Sequence, residues 1–211
     1  MKNVTRKSKV ANMDAGGPSE IVRQENVTRI LDAAERLFKY YGYTKTNVAD
    51  IARELGMSPA NIYRFFASKA DIHQALAHRM LDAGYQLAAA ILRKPGDASE
   101  RLREHILKQY DLTLETMIGE QKVHEMVIVA IEQQWPVIDA HIRRLRSLVT
   151  EVVREGMESG EFAPGDAEVA ADCFMSATAT LCHPQLVATC VSDVKVCTPQ
   201  QVVEFVLRGL K

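Results

Sequence analysis

The stretch Thr46–Lys69, TNVADIARELGMSPANIYRFFASK, decides the fold. Thr46 or Asn47 can cap a helix in which Val48, Ile51, Ala52 and Leu55 form the stripe of a 3.6-residue period. Gly56 follows the last periodic residue and supplies the left-handed conformation that reverses a chain in a few residues. Ser58 then caps a second helix, with Pro59 at its first position, where a missing N–H costs nothing. In that helix Ile62 and Phe66 fall inward and leave Ala60, Asn61, Tyr63 and Arg64 outside, with Phe65 at the edge of that set. An amide, a phenol and a guanidinium hydrogen-bond base edges and phosphates, whereas an ordinary surface helix would carry Glu and Lys. Ser68 and Lys69 open a longer helix, so backbone N–H groups and an ammonium can meet one phosphate. The alternative is a plain helical hairpin; caps, turn and outward face together point to a DNA-reading helix-turn-helix.

Upstream, Ser19 to Tyr41 predicts a helix with Ile30, Ala33, Ala34, Leu37 and Phe38 as its stripe and Gly42 at its end, a scaffold for the reader. Residues 1–18 are polar with two glycines and a proline, which predicts a flexible basic tail. Its Lys2, Arg6, Lys7 and Lys9 are either a solvated tail or an arm along the DNA backbone or minor groove. Downstream, a long helix over 68–93 stops at Pro95-Gly96 and should join two domains. Asp97 and Glu100 read as a capping box opening a helix to about Met117. Further helices are expected over 124–131, from Trp135-Pro136 to about Glu158, from Asp166 to Ala179, and from the capping box Thr198-Pro199-Gln201 to the end, with Pro184 forcing a break near His183. No strand alternation of useful length and no internal repeat occurs, so the fold class is all-α. The expected division is tail 1–18, helix-turn-helix domain 19–67, and a larger helical ligand-binding and dimerisation domain 68–211.

ILDAAERLFKYYGY followed by TNVADIARELGMSPANIYRFFASKADI resembles the DNA-binding domain of the tetracycline-repressor (TetR/AcrR) family of bacterial regulators over residues 27 to 75. Ala60 stands where that family often has glycine. The resemblance implies a three-helix reading head, a helical ligand-binding domain and a homodimer that leaves a palindromic operator when a small molecule binds. It places Thr46, Tyr63 and Lys69 at backbone-contact positions beside Asn47, Ser58, Pro59, Ala60, Asn61, Arg64 and Phe65 as the DNA-binding set.

Charge agrees. The whole chain has 26 Lys and Arg against 27 Asp and Glu, but residues 1–80 carry 13 against 8 and residues 81–211 carry 13 against 19, a basic front and an acidic rear. No apolar run of membrane-spanning length and no signal-like segment is present, which predicts a cytoplasmic protein. Cys173, Cys182, Cys190 and Cys197 lack a CxxC pair or zinc spacing, so buried free thiols are expected and no metal or cofactor. A phosphate loop, HExxH and a nucleophile elbow are all missing, which argues against an enzyme.

The dimer interface is expected on the last two substantial helices. Small residues at Ala170, Ala177 and Ala179 permit close approach, and Phe174, Leu181, Val202, Phe205 and Val206 supply apolar area. A pocket for a bulky apolar or aromatic inducer is expected among Tyr85, Tyr110, Met117, Met126, Trp135, His141, Phe174 and Met175, since methionine and aromatic walls adapt to such molecules. Glu125 and Glu132 would counter a cationic ligand if they faced inward. The function these features support is a ligand-responsive repressor, with efflux or detoxification as its target. The alternatives are a regulator answering to an acyl-CoA or fatty acid, and a ligand-free nucleoid-type DNA binder.

Overall fold

The computed structural model describes residues 18–119, 121–132, 135–191 and 197–211, with side chains at 18–19, 116–119, 121–125, 132 and 188–191 left out. Every regular element among these residues is a helix. The basic tail residues Lys2, Arg6, Lys7 and Lys9 lie outside the described residues.

Helix α1 (Pro18–Tyr41) presents Ile30, Ala33, Ala34 and Phe38 inward, each fully buried. Of the two candidate caps, Asn47 opens α2 (Val48–Glu54). Its Oδ1 accepts from Asp50 N at 2.9 Å, and its own N–H donates to Asp50 Oδ2 at 3.0 Å, a reciprocal capping box. Gly56 sits at φ 65°, where an L side chain is strained, and Met57 N–H closes on the Ala52 carbonyl at 2.8 Å. Ser58 Oγ then accepts from Asn61 N at 3.2 Å and starts α3 (Pro59–Tyr63). Helix α4 (Lys69–Leu92) is capped by Ser68 through Asp71 N at 3.1 Å.

Helices α1 to α3 and the first half of α4 enclose one core, built from Phe38, Ile30, Ile51, Ile62, Ile72 and Leu76. Arg79 on α4 reaches back to Asp32 at 2.6 Å and to Glu35, fixing α4 to α1. The second half of α4 gives Ala89 and Leu92 to a different core. That core is shared with α5 (Ala98–Gly119), α7 (Pro136–Glu158), α8 (Ala167–Ala177), α9 (Ala179–Cys182) and α11 (Pro199–Arg208). Helix α6 (Gln121–Glu132) lies against α1, α4 and α5, and α10 (Pro184–Val191) follows the expected break at His183. One helix thus serves two cores.

The start of α5 corrects the local expectation. Its first N–H groups are taken by a distant side chain: Glu161 Oε2 accepts from Ala98 N at 2.7 Å and Oε1 from Ser99 N at 2.9 Å. Those two bonds and the Ser99 hydroxyl hold the Glu161 carboxyl below its ordinary range despite the opposing effect of burial. Asp97 and Glu100 are not the cap; Glu100 pairs with Arg103 one turn on. Glu161 arrives there because its loop folds tightly on α7. A Cβ at Gly156 would meet the Phe162 ring at 2.3 Å, so only glycine lets that ring seat. Thr198 and Gln201 form the expected box at α11. Among the described residues no helix is long and apolar enough to cross a membrane.

Candidate nucleic-acid interface

Helix α3 is short and rigidly seated. Ile62 anchors it with no exposed surface, while Ser58, Pro59, Ala60, Tyr63 and Arg64 are exposed and Asn61 is half-buried. Asn47, at the start of α2, is exposed beside it. The Asn47, Ser58, Asn61, Tyr63 and Arg64 side chains can donate to a polyanion's phosphates and hydrogen-bond base edges without any rearrangement of the core, while the small Pro59 and Ala60 permit close approach.

Three residues of the expected set sit differently. Phe65 is half-buried against the head's core, with the Arg23 guanidinium 5.7 Å from its ring centre, so it closes the edge of the core. Thr46 is 2% exposed, and its hydroxyl donates to the Gly42 carbonyl at 3.0 Å, which removes that hydroxyl from the surface. Lys69 turns inward as well. Its Nζ donates to the carbonyls of Tyr43 and Thr46, both at 3.0 Å, and lies 4.3 Å from the Tyr43 ring centre. Desolvation lowers its pKa. The ammonium therefore satisfies two carbonyls in the link that leads into α2, where no helix partner exists for them.

Behind this link lies a contact that the sequence did not announce. His73, one turn after Lys69, is 1% exposed and packed between Tyr43 at 4.4 Å, Phe38 at 6.0 Å and Trp135 at 4.6 Å between ring centres. Burial, then the Lys69 charge, push its pKa down to about 4, against a backbone hydrogen bond with Met126 that raises it. Its Nδ1 has no partner. The one available signal was the spacing of Lys69 and His73, four apart and so on one helix face.

This contact relocates two residues assigned to the inducer pocket. Met126 is 4% exposed within the head's core, and Trp135 is 4% exposed and edge-on to His73, so both fasten the later helices to the head. Phe174 is 1% exposed in the C-terminal core, which also leaves it no wall to offer. Tyr85, Tyr110 and Met175 line that core's edge, half-buried. His141 is half-buried with its pKa lowered by burial and by Arg144, and the Met117 side chain lies outside the described residues, as do those of Glu125 and Glu132. Two polar clefts open on this part of the molecule. One, of about 530 Å³, lies between the end of α7 and the start of α8, and one of about 280 Å³ lies at the end of α4; none of the eight expected residues lines either.

Of the expected interface residues, Phe174 and Leu181 are interior, 1% and 2% exposed, because α8 and α9 turn these side chains onto α5 and α7. Ala170, Val202 and Val206 are half-buried on the same core, while Ala177 is exposed and Phe205 is 77% exposed. The expectation of buried thiols fails at Cys173 and Cys197, which are exposed; Cys182 is half-buried against the C-terminal core, where desolvation pushes its thiol up to about 12, and the Cys190 side chain is not described. Among the described residues no three His, Cys, Asp or Glu side chains converge as metal ligands.

A capped helix-turn-helix on a closed three-helix core, joined by one long helix to a second helical core, defines a DNA-binding transcriptional regulator of the two-part bacterial type. The chain belongs to the tetracycline-repressor family: residues 30–76 match "Bacterial regulatory proteins, tetR family", and residues 98–203 match "Tetracyclin repressor-like, C-terminal domain". That is a family of transcriptional regulators and not of enzymes. Among curated relatives, the HTH-type transcriptional regulator TtgR of Pseudomonas putida is 29% identical over 159 residues, 70% of this chain and 74% of that one. The FadR regulator of Bacillus subtilis in complex with stearoyl-CoA is similar in structure, with TM-score 0.59 and 22% identity over 87% of this chain and 96% of that one. A transcriptional regulator from Saccharomonospora viridis in complex with choline aligns with TM-score 0.60 and 25% identity over 87% and 94%.

Proposed function

We propose that this regulator is a homodimeric repressor that grips a palindromic operator through α3 and releases it when a small apolar or aromatic molecule enters the helices behind. Residues 19–67 do the reading and 68–211 bind ligand and pair, with 68–93 as the joint. The observation that carries this reading is the outward set Ser58, Asn61, Tyr63 and Arg64 on a helix whose inner residue, Ile62, is wholly buried. Asn61 and Arg64 contact base edges; Tyr63, with Asn47, Ser58, Pro59 and Ala60, fixes register on the backbone. Lys69 contributes to phosphate contact if its ammonium leaves the two carbonyls it now holds. Such a protein works in the cytoplasm, where its DNA lies.

Pairing through Ala170, Ala177, Val202, Phe205 and Val206 would cover the exposed Phe205 and set the distance between two heads. A ligand can empty the operator only by preferring the dimer form whose heads are misplaced. Since α4 belongs to both cores, a pivot of that helix moves the head as a unit. The natural target is an efflux or detoxification gene. A thermal-shift screen should include an acyl-CoA and a quaternary amine, the ligand classes in the two structural relatives. Footprinting decides the main claim. A discrete palindrome supports it, and broad sequence-indifferent coverage would replace it with a nucleoid-type binder.

A further inference from the structure

The smaller of the two clefts, of about 280 Å³, lies where the C-terminal end of α4 meets α5 and α7. Leu92, Leu148 and Val152, each no more than 2% exposed, back it with aliphatic surface. Its polar groups are charged. Arg101 enters from α5, and Glu151 and Glu155 line it from one face of α7, where residues four apart are neighbours. Arg93 and Lys94 are exposed at its rim, the latter paired with Glu104 at 2.5 Å.

Arg101 is the group that sets this cleft apart, because its side chain is only 10% exposed. Nη1 donates to the Leu92 carbonyl at 3.0 Å, in the last turn of α4, and Nη2 meets Glu155 Oε2 at 2.7 Å. Nε is buried, and among the described residues no group accepts from it. Nε and Nη2 form one flat edge, whose two parallel N–H bonds match both oxygens of a carboxylate. Glu155 uses half of that edge. A buried guanidinium with an unmet donor is costly, so the edge favours an anion that supplies both oxygens at once. Glu155 is the movable partner: its side chain is 58% exposed and reaches water by turning outward.

A plain anion uses only one side of this cleft, since Glu151 faces the same space and Glu155 stays near after turning out. We infer that the cleft binds a small aliphatic α-amino acid as its zwitterion. The carboxylate replaces Glu155 on the Nε–Nη2 edge of Arg101, Glu151 receives the ammonium, and the side chain lies on Leu92, Leu148 and Val152. Both signs of charge in the cleft are then met while no net charge is brought into it. The volume suits so small a guest, being below the roughly 300–1,000 Å³ of sites for drug-sized molecules. None of the residues expected to hold the inducer takes part, so this site stands without that reading.

Titration of the full chain in a chloride buffer free of carboxylates and phosphate tests the inference with three probes. They are L-valine, isovalerate, which lacks valine's ammonium, and isobutylamine, which lacks its carboxylate. L-valine should bind more tightly than either by about tenfold or more. Glu151→Gln should weaken L-valine several-fold and spare isovalerate, because only the ammonium needs that carboxylate. Glu155→Gln removes the competitor for the edge and should tighten both. Arg101→Lys keeps the charge but loses the two-pronged edge, so it should abolish binding of both. Because that variant can lose stability, the Arg101 Nε–H resonance of the unmodified protein gives a second readout. It should move saturably with L-valine and stay in place with isobutylamine. Isovalerate as tight as L-valine would overturn the amino-acid assignment. Tightest binding of isobutylamine, weaker binding to Glu155→Gln, or no saturable binding of any probe would overturn the site itself.

Discussion

The head and the helices behind it handle polar groups in opposite ways. Around α3 the polar side chains point out, and the head's buried polar residues are Thr46, bonded to a carbonyl, and His73 at its rear wall. Behind it, Ser99, Arg101, His105, Thr113, Thr150 and Thr178 are all buried among helices that bury leucine and valine too. Arg101 illustrates the difference: Nη1 donates to the Leu92 carbonyl at 3.0 Å and Nη2 meets Glu155 at 2.7 Å, yet Nε has no partner. A part that must read a polymer keeps its chemistry outside on a hard base. The helices behind it keep some of theirs inside, where a hydrogen bond left unmet costs more than it would at the surface.

The largest way to break the contrast is to empty the head's core. Phe38→Ala should cost about 3–5 kcal/mol, since a fully buried ring leaves a cavity that close-packed neighbours only partly fill. Denaturation followed by near- and far-ultraviolet dichroism should then show the head melting before the C-terminal helices. A single unchanged transition would mean the two cores are one cooperative unit.

Acid should act next most strongly, through His73 in the head and His105 behind it. Both have a folded pKa of about 4, below the unfolded value of 6.5. The unfolded chain therefore binds more protons between those limits. Stability contributed by the neutral imidazoles is intact above about 6.5, falls as pH drops through the window, and is lost fully below about 4. Urea midpoints measured from pH 7.5 to 4 should fall, and His73→Phe should flatten the fall. A midpoint independent of pH in that range contradicts the buried neutral state.

Smaller effects belong to the outward face. Arg64→Ala or Asn61→Ala should each cost about 1–3 kcal/mol of specific binding and relax preference at one or two base pairs, with the melting temperature unmoved. Operator affinity unchanged in both would misplace the reading face. Asn47→Ala should cost about 1 kcal/mol of stability through the lost cap of α2. A loss near zero in denaturant titration would mean Thr46 can replace it.

Lys69→Ala gives the smallest change in affinity but separates two roles. If the ammonium stays on the Tyr43 and Thr46 carbonyls, the variant loses stability and leaves the salt slope of binding alone. If it moves to phosphate, the slope drops by about 1 per half-site. Binding isotherms at several salt concentrations tell these apart.

What could be read from the chain alone was whatever neighbours in sequence decide. Asn47 as one of two candidate caps, Gly56, Ser58 with Pro59, and Thr198 with Gln201 act within one turn, and each took its expected place. The periodic stripe of α1 and the outward set on α3 follow from 3.6 residues per turn, and the family followed from those residues. Tertiary structure decided the matters that depend on contacts across long stretches of chain. Met126 and Trp135 carry no mark that would place them against His73, more than fifty residues earlier. Glu161 caps a helix that begins far upstream, because Phe162 seats on Gly156. Thr46 and Lys69 have the polarity of surface residues and are drawn inward because two link carbonyls and a buried hydroxyl need partners. Periodicity tells which side chains of a helix share a face; only packing against the other helices tells what that face meets.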